Sequence, residues 1–207
     1  GLHGANRLGS NSLTELLVFG RLAGEQASQR AAHTDWVALP VLQAQAQRQQ
    51  ARLATLCDGQ GSGESWVTLK HAMVQAMESG CGIYRTEAGM QQALDTLRQL
   101  RQRYAQVRVS DTSKIFNTEL LECLEFGYGL EIAEASCLAA LERRESRGAH
   151  QRLDEGLQAR DDVGYLKHSQ VFYQGDAPAE LRWQAVDTRF SAPAARVYGD
   201  AAKGGKA

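Results

Sequence analysis

The sequence predicts a mainly α-helical protein: a glycine-punctuated loop and its helix, then an antiparallel helical bundle, then a small C-terminal β-hairpin region. Three observations carry this expectation. Apolar residues recur every three to four positions in several runs of 15 residues or more. Glycine-, proline- and serine-rich breaks separate those runs. Only beyond Gly164 does the pattern change to short stretches rich in β-branched and aromatic residues.

The chain opens with a loop in which Gly4, Ala5, Gly9 and Ser10 leave room for close approach to the backbone. Ser12 and Glu15 have the S-x-x-E spacing of a capping box, so a helix is expected to start at or just after Ser12 and to cover residues 13 to about 30. Its apolar character implies burial against something larger. Such a helix start carries unpaired N–H groups and partial positive charge, and Arg7 just upstream adds a forked cation suited to a carboxylate or phosphate. Read without further knowledge, this is either an anion site or an ordinary cap beside a surface arginine.

After Pro40 a Gln/Ala-rich helix is expected over residues 41–56, polar on most sides and facing solvent. Residues 58–64 (DGQGSGE) read as the clearest loop in the chain. Ser65 is placed to cap a third helix with Trp66, Leu69, Met73 and Met77 as its core stripe. The stretch from Gly80 to Arg85 breaks it. A fourth helix, residues 87–106, carries Met90, Leu94, Leu97, Leu100 and Tyr104 on one face, with Arg98, Arg101 and Arg103 assigned to a solvated face. Asn117 or Thr118 begins the longest helix, running to about Ser146, with Leu120, Leu121, Leu124, Ile132, Ala133, Cys137, Ala140 and Leu141 as a wide buried face. Gly127 and Gly129 inside it call for close helix packing or a local bend. Strands are expected over residues 168–174 and 181–186, around a turn from Gly175 to Pro178. The domain division that follows is 1–31, 32–150, 151–198 and a disordered tail at 199–207.

Composition excludes several classes of function. With 23 Lys and Arg against 24 Asp and Glu, the chain has no electrostatic footprint for nucleic acid. Cys57, Cys81, Cys123 and Cys137 form no C-x-x-C pair, which argues against a zinc site, an iron–sulfur cluster or a disulfide framework, and favours a reducing compartment. His150 and His168 lack an acidic partner at ligand spacing, so no metal is expected. Asp161 and Asp162 read as a solvated turn or as partners of Arg160 or Lys167. No run reaches the ~20 apolar residues of a membrane span.

Three segments are specific. HGANRLGSNSL (residues 3–13), RESRGAHQR (144–152) and RDDVGYLKH (160–168), in this order, resemble the flavoprotein subunit of the fumarate reductase and succinate dehydrogenase family. The likeness spans nearly the whole chain, covers only the C-terminal part of that subunit, and is nearest to the bacterial quinol:fumarate reductase branch. It implies that Arg7 binds a carboxylate of the substrate, with His3 in the same substrate loop, and that Asn11, Ser12 and Leu13 contact FAD. It implies as partners fumarate or succinate, an iron–sulfur subunit, membrane anchors and an N-terminal FAD domain that this sequence lacks. The setting it implies is the cytoplasmic side of the bacterial inner membrane, reached through those partners.

The chain has no initiator Met, opens inside a motif and contains no G-x-G-x-x-G fingerprint after a strand. It is therefore expected to be a fragment, inactive and unflavinylated alone. Segment 144–152 either complements the dipole of the preceding helix with Arg143, Arg144 and Arg147 or, by the resemblance, folds back to support the active-site wall. The alternatives within the class are succinate dehydrogenase and L-aspartate oxidase. Outside it stands a non-catalytic helical interaction module, which would pack the first helix on its own core.

Overall fold

The computed structural model describes residues 3, 7, 9–58, 64–175 and 177–194. The expected loop at 58–64 and turn at 175–178 are therefore only partly described, and the 199–207 tail lies outside the described residues. The elements are α1 (Asn11–Ala32), α2 (Leu39–Cys57), α3 (Trp66–Cys81), β1 (Tyr84–Arg85), α4 (Glu87–Tyr104), α5 (Thr118–Glu142), β2 (Gln151–Arg152), β3 (Lys167–Phe172) and β4 (Glu180–Ala185).

The core is built by α3, α4 and α5. Each starts on a side-chain cap: Ser65 accepts from Val67 N, Thr86 from Gly89 N and Asn117 from Leu120 N. Leu69, Met90, Leu94, Leu97, Leu100, Cys123, Phe126, Leu130 and Cys137 are buried together. The end of α3 meets the start of α4, where a Cβ on Gly80 would fall 2.5 Å from the Gly89 carbonyl oxygen. The end of α4 meets the first half of α5, with the Tyr104 hydroxyl donating to Cys123 O at 3.0 Å. Both pairs are thus antiparallel, and α3 runs alongside α5 in the same direction, as the meeting of Cys81 with Cys137 shows. The expected bundle is therefore present.

Other expectations are corrected in detail. α5 stops at Glu142, and Leu121 and Ile132 are 57% and 67% exposed. Its apolar residues run around the whole helix, and neighbours cover only one side. Arg98 and Arg101 do not form a solvated face but converge on Glu134. The Ser12–Glu15 capping box does not form. α1 begins two residues earlier, on Ser10 in the left-handed conformation (φ 66°), whose own side chain makes no cap bond. Glu15 instead lies 3.9 Å from the Nε2 of His3.

α1 buries none of its residues, and α2 buries only Leu56. The Leu56 carbonyl ties the end of α2 to Val109 N at 2.8 Å. Beyond α5, β1 pairs in parallel with β2 in register Arg85↔Arg152. The expected hairpin is β3 with β4, antiparallel, Lys167 opposite Ala185 and Phe172 opposite Glu180.

Candidate functional site

Two clusters of polar residues stand out, one at each end of the sequence. The first surrounds the start of α1. Arg7 is exposed in the loop, Asn11 and Leu13 are exposed in the first helical turn, and Ser12 is half-buried. His3 is mostly covered, its side chain 15% exposed beside Glu15. The residues singled out from the sequence are thus grouped at one helix end, whose first-turn N–H groups receive no cap bond from the Ser10 side chain. Leu13, Leu16 and Leu17 continue this exposed face, at 75%, 63% and 76% exposure.

The second cluster follows α5. Glu145 is completely buried, and its carboxylate accepts from Arg143 Nη1 at 2.7 Å, from Arg147 Nε at 2.7 Å and Nη2 at 3.0 Å, and from Asp161 N at 2.7 Å. Burial alone pushes this carboxyl up. The bonds from Arg147, Asp161 N and Arg143 outweigh it and hold the group below the usual carboxylate range. Arg147 also grips Asp162 at 2.7 Å, and Arg160 reaches the same carboxylate at 2.8 Å. Asp162 therefore takes the salt bridge expected of the Asp161–Asp162 pair, while Asp161 accepts from Val163 N and Gly164 N. Arg143 donates onward to Tyr165 O and Lys167 O and lies 5.1 Å from the Trp183 ring centre.

His150 is buried with both ring nitrogens engaged. Arginine can only donate, so Nδ1 accepts from Arg85 Nη1 at 2.9 Å, and Nε2–H donates to Arg143 O at 3.1 Å. Burial, with Arg85, Arg152 and Arg143 nearby, drives its pKa below the ordinary value, so the imidazole is neutral and not a free metal ligand. Arg152, also fully buried, donates to Asp154 Oδ2 at 2.6 Å and to Leu141 O and Arg143 O at 3.2 Å each. Asp154 Oδ1 in turn accepts from Glu87 N, the first residue of α4, at 2.9 Å.

A depression of about 450 Å³ lined by Arg143, Arg147, His150 and Lys167 opens beside this network. The carboxylates of Glu145 and Asp162 already satisfy its arginines. The cluster is a clasp that joins the end of α5 to the start of α4 and to the hairpin. Sequence reasoning missed Glu145 and Arg152 as its centres, and within the bundle it missed Glu134 as the partner of Arg98 and Arg101. Glu134 alone carried a readable signal, a charge inside the buried stripe between Leu130 and Leu138.

Residues 70–198 match the family described as fumarate reductase flavoprotein C-term. The chain belongs to that family. It is 51% identical over 199 residues to the fumarate reductase flavoprotein subunit of Escherichia coli K12, covering 96% of this chain and 33% of that protein. With the succinate dehydrogenase flavoprotein subunit of Coxiella burnetii it shares 35% over 197 residues, covering 90% of this chain and 32% of that one. A solved E. coli quinol fumarate reductase chain superposes with a TM-score of 0.88 at 51% identity, over 96% of this chain and 34% of that chain. The chain thus spans about a third of the length of the curated relatives it matches. Among the described residues, no helix is long and apolar enough to cross a membrane.

Proposed function

We propose that this chain forms part of a flavoprotein subunit that reduces fumarate to succinate, taking electrons through FAD from an iron–sulfur subunit. The observation that carries the reading is the 51% identity to a fumarate reductase subunit across nearly the whole chain, against 35% to a succinate dehydrogenase subunit. On this reading the complex sits on the cytoplasmic face of a bacterial inner membrane, held there by anchor subunits.

The residues at the start of α1 fit a flavin. The Ser10 side chain does not cap the helix start, so the N–H groups of Asn11, Ser12 and Leu13 are suited to a ring carbonyl and to the negative charge of a reduced ring. FAD, when bound there, supplies hydride to the substrate double bond. Arg7 clamps one substrate carboxylate with two parallel hydrogen bonds, fixes the carbon skeleton in place and opposes the charge that builds on it. His3, which lies beside Glu15, is assigned to the same substrate loop.

In the whole gene product that carries this chain, Arg7→Ala is expected to lower fumarate turnover by about 10²-fold or more, the scale of losing one preorganised charge-stabilising group. The flavin absorbance should stay unchanged. Near-normal turnover would remove Arg7 from the substrate site. The competing reading, a free-standing interaction module, requires α1 to pack on its own core, and α1 buries none of its residues. The mass of the native product separates the two: a flavin enzyme needs a chain several tens of kilodaltons larger than this one, since this chain covers 33% of the E. coli relative.

A further inference from the structure

Cys81 and Cys137 are 56 residues apart in sequence, yet their sulfurs lie 3.2 Å from each other. Cys81 is the last residue of α3 and is partly exposed; Cys137 lies in the last third of α5 and is fully buried. The Cys137 thiol has two acceptors within reach, Met90 O and the Cys81 sulfur, each at 3.2 Å, so its S–H can turn to a thiolate formed at Cys81. Both thiols are free. The spacing of cysteines along the chain gave no hint of this pair, because it arises only when α3 is laid alongside α5.

We propose that Cys81 and Cys137 are a redox modification site that closes to a disulfide on meeting a hydroperoxide. The bond length of a disulfide is about 2.05 Å, so the sulfurs need to close by roughly 1.1 Å. Cys81 stands at a helix end, where such a shift costs little.

The asymmetry of the pair assigns the steps. The hydrogen bond with Cys137 and the nearby Arg85 guanidinium together hold the Cys81 thiol below its ordinary range against the effect of burial. The same hydrogen bond and burial push Cys137 far above it. Cys81 is therefore the thiolate that attacks one oxygen of the hydroperoxide. The O–O bond breaks, Cys81 becomes a sulfenic acid, and the departing alkoxide or hydroxide takes up the proton that Cys81 lost. The Cys137 sulfur then attacks the Cys81 sulfur. The S–O bond breaks, and hydroxide leaves with the Cys137 proton as water. Two thiols have lost two electrons and two protons, and one hydroperoxide has become an alcohol (or water) and a water. A dithiol reductant reverses the change by exchange through a mixed disulfide.

The experiment treats the whole gene product with a small molar excess of hydrogen peroxide, blocks remaining thiols with N-ethylmaleimide and digests it without reduction. The expected result is a linked peptide pair joining Cys81 to Cys137, lighter by two hydrogens than the two peptides together and lost on adding dithiothreitol. Cys57 and Cys123 serve as internal controls, one partly exposed and one buried. In Cys137→Ser, oxidation of Cys81 should stop at the sulfenic acid and be trapped by dimedone. Recovery of both cysteines as maleimide adducts overturns the proposal. So does a sulfinic or sulfonic acid at Cys81 without a cross-link, or a link from either residue to another cysteine. The mapping is decided on the unmutated protein, so misfolding of the variant does not affect it.

Discussion

The ring of Tyr104 occupies the space that a side chain at position 127 would need: a Cβ on Gly127 would fall 2.6 Å from the ring's Cζ and hydroxyl oxygen. The same ring meets Phe126 edge-on at 5.5 Å, and burial, with the Cys123 thiol nearby, pushes its hydroxyl pKa up to about 12. Gly127→Ala should gain up to about 1 kcal/mol of helix propensity. It should lose more, about 1–3 kcal/mol, because the ring must move out of a packed site. Chemical denaturation should therefore show a less stable protein. A more stable one would mean that Tyr104 is free to swing away.

Glu134 is 3% exposed, and its two oxygens face Arg98 at 3.3 Å and Arg101 at 3.0 Å. Removing one side of a buried ion pair costs about 3–5 kcal/mol. Arg98 is 37% exposed and can turn to water, so Glu134→Ala should fall near the lower end of that range. Glu134→Gln keeps the acceptor oxygen and should cost less. Unfolding midpoints of the two variants, compared with the parent, test the order.

Acid should loosen the clasp through Glu145. Its folded pKa is depressed below the ordinary 4.5, so its stabilising effect is complete above that value. The effect is lost as pH falls from there through the folded value. Stability of the parent over Glu145→Gln should be largest near neutrality and shrink below about pH 4.5. A difference that stays constant down to pH 3 would show that the carboxylate is not held in its charged form.

His150 acts in a higher window. Its folded pKa also lies below the ordinary value, here 6.5, so the unfolded chain takes up the proton first. Stability therefore declines as pH drops below 6.5 and levels off under the folded pKa. His150→Gln offers one acceptor and one donor in place of the two ring nitrogens and does not titrate. Its deficit against the parent should narrow between pH 7.5 and pH 5. Parallel stability curves would refute the neutral, doubly bonded imidazole.

Much of the bundle was legible because its signals are local. Ser65 and Asn117 were readable caps, and Met90, Leu94, Leu97 and Leu100 gave the buried face of α4 by spacing alone. The failures are non-local or competitive. Arg98 and Arg101 looked solvated because their partner Glu134 stands more than 30 residues away. Ser12 and Glu15 had the right spacing for a cap, but the helix starts upstream and Glu15 turns to His3. The uniformly apolar α5 did not reveal that Ile132 would be left uncovered. At the candidate site, helix physics alone explained a cap and an arginine; the roles proposed for Arg7, Asn11, Ser12 and Leu13 came from the family resemblance.

The bond from Glu87 N to Asp154 spans 67 residues, and this gives the bundle an order of completion. A ribosome makes α3, α4 and α5 before it makes the residue that seats the first turn of α4. The buried charge of Glu145 likewise finds its full set of partners only when Asp161 arrives. A message cut short between Glu142 and Asp154 would yield all five helices and still lack the fastening that closes them.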